Sequence, residues 1–395
     1  MDGITQGKYI RGEDALNPGK WITAPFWWYE KAHILRKGQK RFAVSFLERE
    51  MVCHWAWPKT DQDIAVELDI SLETVSDTRS DLVAAGVIVP AENIVLDLPA
   101  IELEITASCN ADCIMCPRNE LFSHRGIAHM SDDVFDSVLR NLSGRGVPAY
   151  YLCGLGEPLL HPHWLEFAQR LRAADPDSHI ICSTNGFSIN SKVIGCLIDS
   201  PIDTLELSLH SLDPTVHYSI VRSFELKRAL ERIEALLEAL ASRNNPGLEV
   251  RVGQVLLARY PDPDPQLQAW ARQRGLVFNA WRSWNRAGHV PDSILVSSPD
   301  EKRRFFQRNL SPGVCKDFAE ILFIDHRGEV LSCCCDAANE TAEFNVRQHS
   351  MEQIIKARLE KLASNGPLSP ICHRCDAPAT NKPFCATSFF CEALG

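Results

Sequence analysis

Three cysteines, Cys109, Cys113 and Cys116, stand close together behind an apolar segment of this 395-residue chain. Their spacing, CxxxCxxC in the run IELEITASCNADCIMCPRN, supplies three thiolates and no fourth. A closed iron–sulfur site prefers four cysteines, and a structural zinc site is normally tetrahedral. The triplet therefore indicates an iron–sulfur cluster with one iron open to another ligand. A zinc knuckle or three free thiols are the alternatives.

A second set of cysteines lies in the last third of the chain. Two of them flank a predicted β-hairpin, AEILFIDHRGEVLSC, with its turn at Asp325 to Gly328, and two more form a CxxC pair. The intervening SMEQIIKARLEKLA has the pattern of an amphipathic helix, which returns the chain toward the hairpin. All four thiolates can then reach one point, as ligands of an iron–sulfur cluster or a zinc ribbon. The set is Cys315, Cys333, Cys372 and Cys375.

Strands and helices alternate between about residues 99 and 295. Such repetition predicts a parallel sheet with right-handed crossovers, and six units fit a partial (β/α)6 barrel. Ligands of these folds lie at the carboxyl ends of the strands, and the Cys109 loop directly follows the first strand. The predicted strands are 101–105, 149–153, 179–183, 204–209, 249–256 and 277–281, and the predicted helices are 131–142, 163–174, 190–199, 225–243 and 264–274.

Residues 1 to 98 differ from the rest of the chain, because they carry many aromatic side chains and no metal-ligand pattern. Within them, TDQDIAVELDISLETVSDTRSDLVAAGVIVP predicts a capped helix, a turn at Asp69 to Ser71, a second helix with Leu82 and Val83 on its apolar side, and a short strand after Gly86. This order is similar to a winged helix-turn-helix. The acidic second helix disfavours DNA binding, so we expect a scaffold or protein contact, with leader-peptide capture as the alternative. The aromatic residues, expected mainly in a core, are Trp21, Phe26, Trp27, Trp28, Tyr29, Trp55 and Trp57.

Composition favours a large cytoplasmic enzyme. With 45% apolar residues the chain can bury a sizeable core, and it shows neither a long apolar span nor a charged-then-apolar leader. Fifteen clustered cysteines without a leader indicate metal ligands in a reducing compartment. A formal net charge of −10 disfavours nucleic acids as partners.

The cysteine loop, the strand before it and Pro117 after it resemble the cluster loop of the radical S-adenosylmethionine (SAM) enzymes. In that family the amino and carboxylate groups of SAM chelate the fourth iron. Later strand ends match as well: YYLCGLGEP resembles the family's GGEP motif, although Leu155 stands where glycine is usual. The resemblance implies that the motif's acid, Glu157, accepts from the SAM amino group and that Arg222 pairs with its carboxylate. The implied cofactor-binding residues are Gly154, Gly156, Glu157, Ser183, Asn185, Ser208, His210 and Arg222.

This resemblance covers about residues 99 to 376 and implies reductive cleavage of SAM at a [4Fe-4S] cluster held by Cys109, Cys113 and Cys116. The products would be methionine and a 5′-deoxyadenosyl radical, which takes a hydrogen atom from the substrate. The C-terminal set resembles the twitch or reduced SPASM domain of the same enzymes, which implies one auxiliary [4Fe-4S] cluster. The two further cysteines of the tail, Cys385 and Cys391, do not favour another.

We therefore expect an α/β protein in three parts. These are a winged-helix-like domain over 1–98, a TIM-like partial radical SAM barrel over 99–300 and a small iron–sulfur domain over 301–395. The expected partners are a sugar-containing small molecule and a reductant such as flavodoxin or ferredoxin, with no nucleic acid and no membrane.

Radical SAM enzymes with a single auxiliary cluster dehydrogenate or epimerise sugars and aminocyclitols in antibiotic pathways, and some mature peptides. Surplus thiols favour epimerisation, because a neutral thiol is a good hydrogen-atom donor, while dehydrogenation and ribosomal-peptide maturation are the alternatives. The candidate donors are Cys334 and Cys335, with Cys153, Cys385 and Cys391 behind them. The run FNAWRSWNRAG after the sixth strand offers a sugar-binding surface of Trp281, Arg282, Trp284, Asn285 and Arg286.

Overall fold

A computed structural model describes most of the chain, which divides into two compact units. The first comprises Met1–Pro99, Ile355–Asn365 and Thr380–Gly395, and the second Ala100–Ile354 and Gly366–Ala379. The predicted three-part division of the chain stays a prediction. The residues outside the description are 1–20, 24–27, 32–33, 38–39, 56–58, 91–99, 122–125, 224, 244–246, 297–317, 319–320, 364–368 and 377–395.

Within the described residues, the first unit has two small antiparallel sheets and three helices. Strand β1 (Trp21–Thr23) pairs with β5 (Ile88–Pro90), and β2 (Trp28–Lys31), β3 (Ile34–Lys37) and β4 (Lys40–Ala43) form the other sheet. The helices are α1 (Phe46–His54), α2 (Asp61–Leu68) and α3 (Leu72–Ala84).

Capping residues fix the predicted pair of helices in the first unit. Thr60 and Asp63 form a capping box at the start of α2, and Asp69 ends it in the left-handed conformation. Ser71 caps α3, on which Leu82 is fully buried. The helix–turn–helix–strand order is therefore confirmed, and the winged-helix assignment stays a prediction. Trp55 is fully buried in this unit's core, and Phe26, Trp27 and Trp57 lie outside the described residues.

The second unit is built on one sheet, which over the described residues contains nine strands. Six consecutive parallel strands confirm the predicted partial barrel: each agrees with its sequence prediction to within two residues at either end. They are β6 (Ala100–Leu103), β7 (Ala149–Leu152), β8 (His179–Thr184), β9 (Thr204–Ser208), β10 (Glu249–Leu256) and β11 (Val277–Arg282).

Helices cover the outer face of these strands. Residues such as Val252 point outward into an apolar core with Leu226, Leu267 and Ala271, because side chains alternate along a strand. The helices that begin in this unit are α4 (Asp132–Leu142), α5 (Trp164–Ala174), α6 (Ser191–Ile198), α7 (Pro214–Val221), α8 (Leu226–Ser242), α9 (Pro265–Gln273) and α10 (Met351–Ala363). Residues 355–363 of α10 belong to the first unit. The sequence did not indicate α7, which Asp213 caps and Pro214 begins.

The predicted C-terminal hairpin is present but joins the barrel sheet. Strand β12 (Ile321–Ile324) runs parallel to β6 and antiparallel to β13 (Glu329–Leu331), with the turn at Asp325 to Gly328 as expected. Strand β14 (Phe344–Asn345) adds to β13. These residues therefore belong to the same compact unit as the barrel strands. No helix among the described residues is long and apolar enough to cross a membrane.

Candidate active site

The cysteine loop is held by the end of α7. The Asp112 N–H donates to the Val221 carbonyl at 3.2 Å, and the Ile114 N–H donates to the Ile220 carbonyl at 2.9 Å. A further bond from the Cys116 N–H to the Cys113 carbonyl at 3.0 Å closes a tight turn. The helix that the sequence did not indicate therefore positions the three thiols at the carboxyl edge of the barrel.

The three thiols are crowded and poorly hydrated. Burial raises the pKa of Cys109 to about 11, and burial together with the neighbouring Cys116 and Cys109 thiols raises the pKa of Cys113 further. Burial raises the pKa of Cys116 as well. Three thiolates side by side therefore require a positively charged group among them, as an iron–sulfur cluster provides. Within the described residues, no three His, Cys, Asp or Glu side chains converge to hold a single metal ion, but a cubane binds each thiolate through a different iron.

The GLGEP segment, residues 154–158, packs directly on the cysteine loop. The Glu157 N–H donates to the Ser108 carbonyl at 2.8 Å. A Cβ atom on Gly156 would lie 1.9 Å from the Thr106 carbonyl oxygen, so only glycine fits there. Gly154 has a φ of 147°, and the neighbouring Leu155 N–H donates to the Glu104 carboxylate at 2.8 Å. Leu155 replaces the family's glycine without strain because its own φ is not positive.

The Glu157 carboxylate is buried and joins three parts of the site. It accepts from the Thr184 hydroxyl at 2.7 Å, the Asn185 N–H at 2.8 Å and the Leu159 N–H at 3.2 Å. Burial raises the pKa of Glu157 to about 7 despite these hydrogen bonds. The carboxylate orders the end of β8 beside the cysteine loop. Its contact with SAM stays a prediction.

Asn185 connects the end of β8 to the cysteine loop. Its Nδ2 donates to the Asn110 Oδ1 at 2.8 Å and lies 3.8 Å from the Cys109 Sγ, while its Oδ1 accepts from the Phe187 N–H. Ser183 and Ser208 are both half-buried at neighbouring strand ends. The structure thus brings Gly156, Glu157 and Asn185 to the cysteine loop, and the cofactor-binding roles of these residues and of Gly154 and Ser183 stay predictions.

His210 follows β9, and Arg222 follows α7. His210 is buried, and its Nδ1 accepts from the Val255 N–H at 3.3 Å. Burial, with the nearby His217, lowers the pKa of His210 to about 3, so the ring is neutral. Arg222 is exposed and ends α7 with a φ of 63°, next to the carbonyls that hold the loop. The cofactor-binding roles of His210, Ser208 and Arg222 stay predictions.

The inner face of the barrel is polar, which the sequence analysis did not note. Cys153, directly after β7, donates its thiol hydrogen to the Glu102 carboxylate of β6 at 3.1 Å. Burial and then this carboxylate raise the pKa of Cys153 well above its usual value, so the thiol stays protonated. Glu206 of β9 and Tyr151 of β7 also interact electrostatically across this interior. Period-two polar residues in IELEI, TLELS and EVRVG were the signal that could have revealed it.

The C-terminal cysteines form a compact group in the second unit. The Cys335 thiol, fully buried, makes side-chain hydrogen bonds with Cys333, Cys334 and Cys375, which raise its pKa well above the usual value. Burial and then the Cys333 and Cys375 thiols raise the pKa of Cys372 to about 11. Cys333, Cys372 and Cys375 therefore meet as predicted, joined by Cys335. The other predicted ligand, Cys315, and the tail cysteines Cys385 and Cys391 lie outside the described residues.

Arg286, after β11, lies between the two cysteine groups. Its Nη1 donates to the Cys334 carbonyl at 2.8 Å. Burial alone would lower the pKa of this guanidinium, but Cys334, Cys335, Glu102 and Cys116 raise it overall. The neighbouring Asn285 accepts from and donates to the CxxC segment, with its Nδ2 at 2.6 Å from the Arg374 carbonyl. The residues after β11 thus join the C-terminal group to the barrel, and the sugar-binding surface expected for this run stays a prediction.

Comparison with known families defines the class of this site. Residues 103–247 match the family model described as the Radical SAM superfamily, and they include the cysteine loop and the GLGEP segment. Residues 103–247 therefore form a radical SAM domain. In that superfamily, this domain binds a [4Fe-4S] cluster and SAM. The thiol set and the glycine cradle at Gly156 fit both groups.

Individual relatives are more distant. The chain is 26% identical over 212 residues to the GTP 3′,8-cyclase of Streptomyces coelicolor, covering 50% of this chain and 59% of that protein. It spans about half the length of the curated relatives it matches. Streptococcus suis SuiB bound to the precursor peptide SuiA has a similar fold, with a TM-score of 0.54 and 13% identity over 89% of this chain and 90% of that one. BtrN in complex with AdoMet and 2-DOIA gives a TM-score of 0.49 and 17% identity over 71% and 93%.

Proposed function

We propose that this enzyme abstracts a hydrogen atom from a carbinol carbon of a sugar or aminocyclitol metabolite and returns one to the opposite face, so that the net reaction is epimerisation. The observation that carries the proposal is the protonated Cys153 thiol in the barrel interior. When bound, the cluster and SAM would supply the radical that takes the first hydrogen atom. What the chain must add is a hydrogen atom for the second step.

Cys153 is placed to supply that atom. It follows β7 immediately before Gly154, so it lies beside the segment that packs on the cysteine loop. Glu102 accepts its S–H, and the raised pKa of Cys153 keeps the hydrogen on sulfur. The thiol transfers this atom to the substrate carbon and becomes a thiyl radical. One electron from an external reductant and one proton from solvent restore it.

The two donors expected from the sequence are less suited to this step. The Cys335 thiol is fully buried among other thiols, which favours a ligand role. Cys334 is half-buried and interacts electrostatically with Cys153, so it is the next candidate for the hydrogen-atom donor. The C-terminal group supports a second [4Fe-4S] cluster with Cys333, Cys335, Cys372 and Cys375 as ligands. These residues would then act as a twitch-like domain does, with electron transfer through the cluster if the reaction is dehydrogenation.

The test is turnover of a panel of sugars and aminocyclitols in deuterated water. An epimerase places one solvent deuterium at the inverted carbon. Cys153→Ala should abolish product while 5′-deoxyadenosine still forms, and Cys196→Ala, on the outer helix α6, should behave as wild type. A ketone product without deuterium would establish dehydrogenation instead. Deuterium uptake that survives Cys153→Ala would remove this thiol from the mechanism.

A peptide maturase is the second candidate. The likeness to SuiB extends over 89% of this chain, and among the described residues β4 has a strand partner on one side only. An edge strand of this kind can accept an extended peptide by strand addition. A precursor-peptide gene beside this one, and mass changes in that peptide after anaerobic incubation, would favour this candidate over the first.

A further inference from the structure

We propose that Glu206, Trp281 and Asn279 form a subsite in the barrel interior for a protonated amine of the substrate. This deepens the proposed function and rests on it for the nature of the substrate. The subsite predicts that the part of the substrate that enters the barrel is positively charged. We expect an ammonium group with neighbouring hydroxyls, and neither a phosphate nor a carboxylate.

The three side chains lie on one face of neighbouring strands. Strand registry pairs Ser208 with Gly253 and Gly253 with Asn279, and Glu206 and Trp281 are each two residues away along their own strands. Residues two apart on a strand point the same way. Electrostatic contact of Glu206 with Cys153 and Tyr151, which lie on or directly after β7, shows that this face is the barrel interior.

Gly253 shows how closely the carboxylate and the indole approach each other. A Cβ atom at this position would lie 2.4 Å from Cη2 of Trp281 and 3.2 Å from Oε1 of Glu206. The ring therefore lies over the backbone of β10 because no side chain stands there, with the carboxylate at its edge. A carboxylate close to an aromatic ring is a favourable environment for an ammonium ion that contacts both.

Two acceptors of the subsite have no donor within the described part of the chain. Asn279 is 5% exposed, yet its Oδ1 has no hydrogen-bond partner there. No hydrogen bond to the Glu206 carboxylate is formed by the described residues either, although burial raises its pKa and the Arg251 charge partly offsets this. Because buried acceptors normally have donors, the Asn279 oxygen indicates a ligand that carries an N–H or O–H group, and the half-buried Glu206 carboxylate can accept from the same ligand.

Among the described residues, Glu206 accepts no hydrogen bond, and the charge that acts favourably on it is that of Arg251. The Arg251 guanidinium donates two hydrogen bonds to Glu249, from Nε at 3.0 Å and from Nη2 at 2.8 Å, so Glu206 shares this cation. Arg286 lies toward Glu102 and the two cysteine groups. Glu104 is engaged by Leu155 and His326. An ammonium group beside Glu206 would therefore complete the charge balance of the interior.

Equilibrium binding to the anaerobic, reconstituted, SAM-bound holoenzyme tests the proposal. The probes are glucosamine, N-acetylglucosamine and glucose at neutral pH, which share one ring and differ in charge at one substituent. We expect glucosamine to bind about tenfold more tightly than the other two, the size of one desolvated cation–π and carboxylate contact. Equal affinities for the three probes, or no saturable binding of glucosamine, would overturn the subsite.

Three variants sharpen the test. Glu206→Gln keeps the shape of the side chain and should remove the preference for glucosamine, and Gly253→Ala should do the same by displacing the Trp281 ring. Glu231→Gln, which removes an exposed acid from α8, should leave the preference unchanged. Iron content and SAM affinity identify a variant that has failed to fold. A Glu206→Gln protein that is intact and keeps the preference contradicts the proposal.

The measurements can contradict the subsite and the proposed function independently of each other. A preference for glucosamine that depends on Glu206, with no 5′-deoxyadenosine formed from any sugar or aminocyclitol, would support the subsite and defeat the function. Epimerisation of a neutral sugar whose KM is unchanged by Glu206→Gln would support the function and defeat the subsite.

Discussion

The two cysteine groups of this protein differ in how the chain holds them. The first, Cys109, Cys113 and Cys116, lies on one short loop that the end of α7 and the GLGEP segment fix by backbone hydrogen bonds. The second gathers thiols from a hairpin end and a distant CxxC pair, and these touch one another. The first group has three thiols and a glycine-lined neighbour. The second has thiols in excess.

This difference separates a site that must admit a ligand from one that is closed. Backbone supports the first loop, so its thiols are not needed to hold the fold, and Gly156 lets the GLGEP backbone pack directly on that loop. In the second group, Cys335 is fully buried by other thiols. A cluster bound there would be surrounded by protein, which suits electron transfer or structure better than cofactor chemistry.

Removing the first group should have the largest effect. Changing Cys109, Cys113 and Cys116 together to Ala is expected to abolish 5′-deoxyadenosine formation with dithionite, while circular dichroism shows a folded protein. Iron should fall from about eight per chain to about four, since one of two cubanes is lost. Residual SAM cleavage by the triple variant would show that this loop is not the cofactor site.

Displacing the GLGEP segment from the cysteine loop should have the next largest effect. Gly156→Ala places a Cβ 1.9 Å from the Thr106 carbonyl oxygen, so the GLGEP segment must move off the cysteine loop. We expect SAM affinity to fall by about 100-fold or more, since the family resemblance assigns this backbone to the contact with SAM. Gly195→Ala is the matched control: it lies in α6 with nothing within 4 Å, and it should stabilise the protein by about 0.5–1 kcal/mol. Equal SAM affinities in both variants would contradict the packing argument.

The smallest effect is expected within the second group, and it identifies the ligands there. Cys335→Ala should lower iron by about four per chain while SAM cleavage by the first cluster continues. Cys334→Ala, one residue away and half-buried, should keep all the iron. Iron analysis and electron paramagnetic resonance of both variants decide this. Zinc in place of iron after anaerobic purification would show a zinc ribbon. Full iron content in Cys335→Ala would show that another residue is the fourth ligand of the cluster.

Sequence reasoning was accurate where local pattern determines structure. Six strands were located because apolar runs alternate with helical patterns, and the hairpin turn was found from the Asp–His–Arg–Gly run. Helix α7 was not indicated because its eight residues lack a clear amphipathic period. The contact of Cys335 with the other thiols could not be predicted, because it depends on the arrangement of a hairpin end against a segment about forty residues later. The polar interior was visible in the period-two pattern but was not interpreted.

The parallel pairing of β12 with β6 has a consequence for how the protein folds. About 220 residues separate the two strands, so the edge of β6 stays unpaired during synthesis until the hairpin has left the ribosome. An exposed edge of this kind is a template for pairing with other chains. Truncation before the hairpin should therefore yield an aggregation-prone barrel. Pairing of the late strand β12 with β6 covers the exposed edge of the newly synthesised sheet.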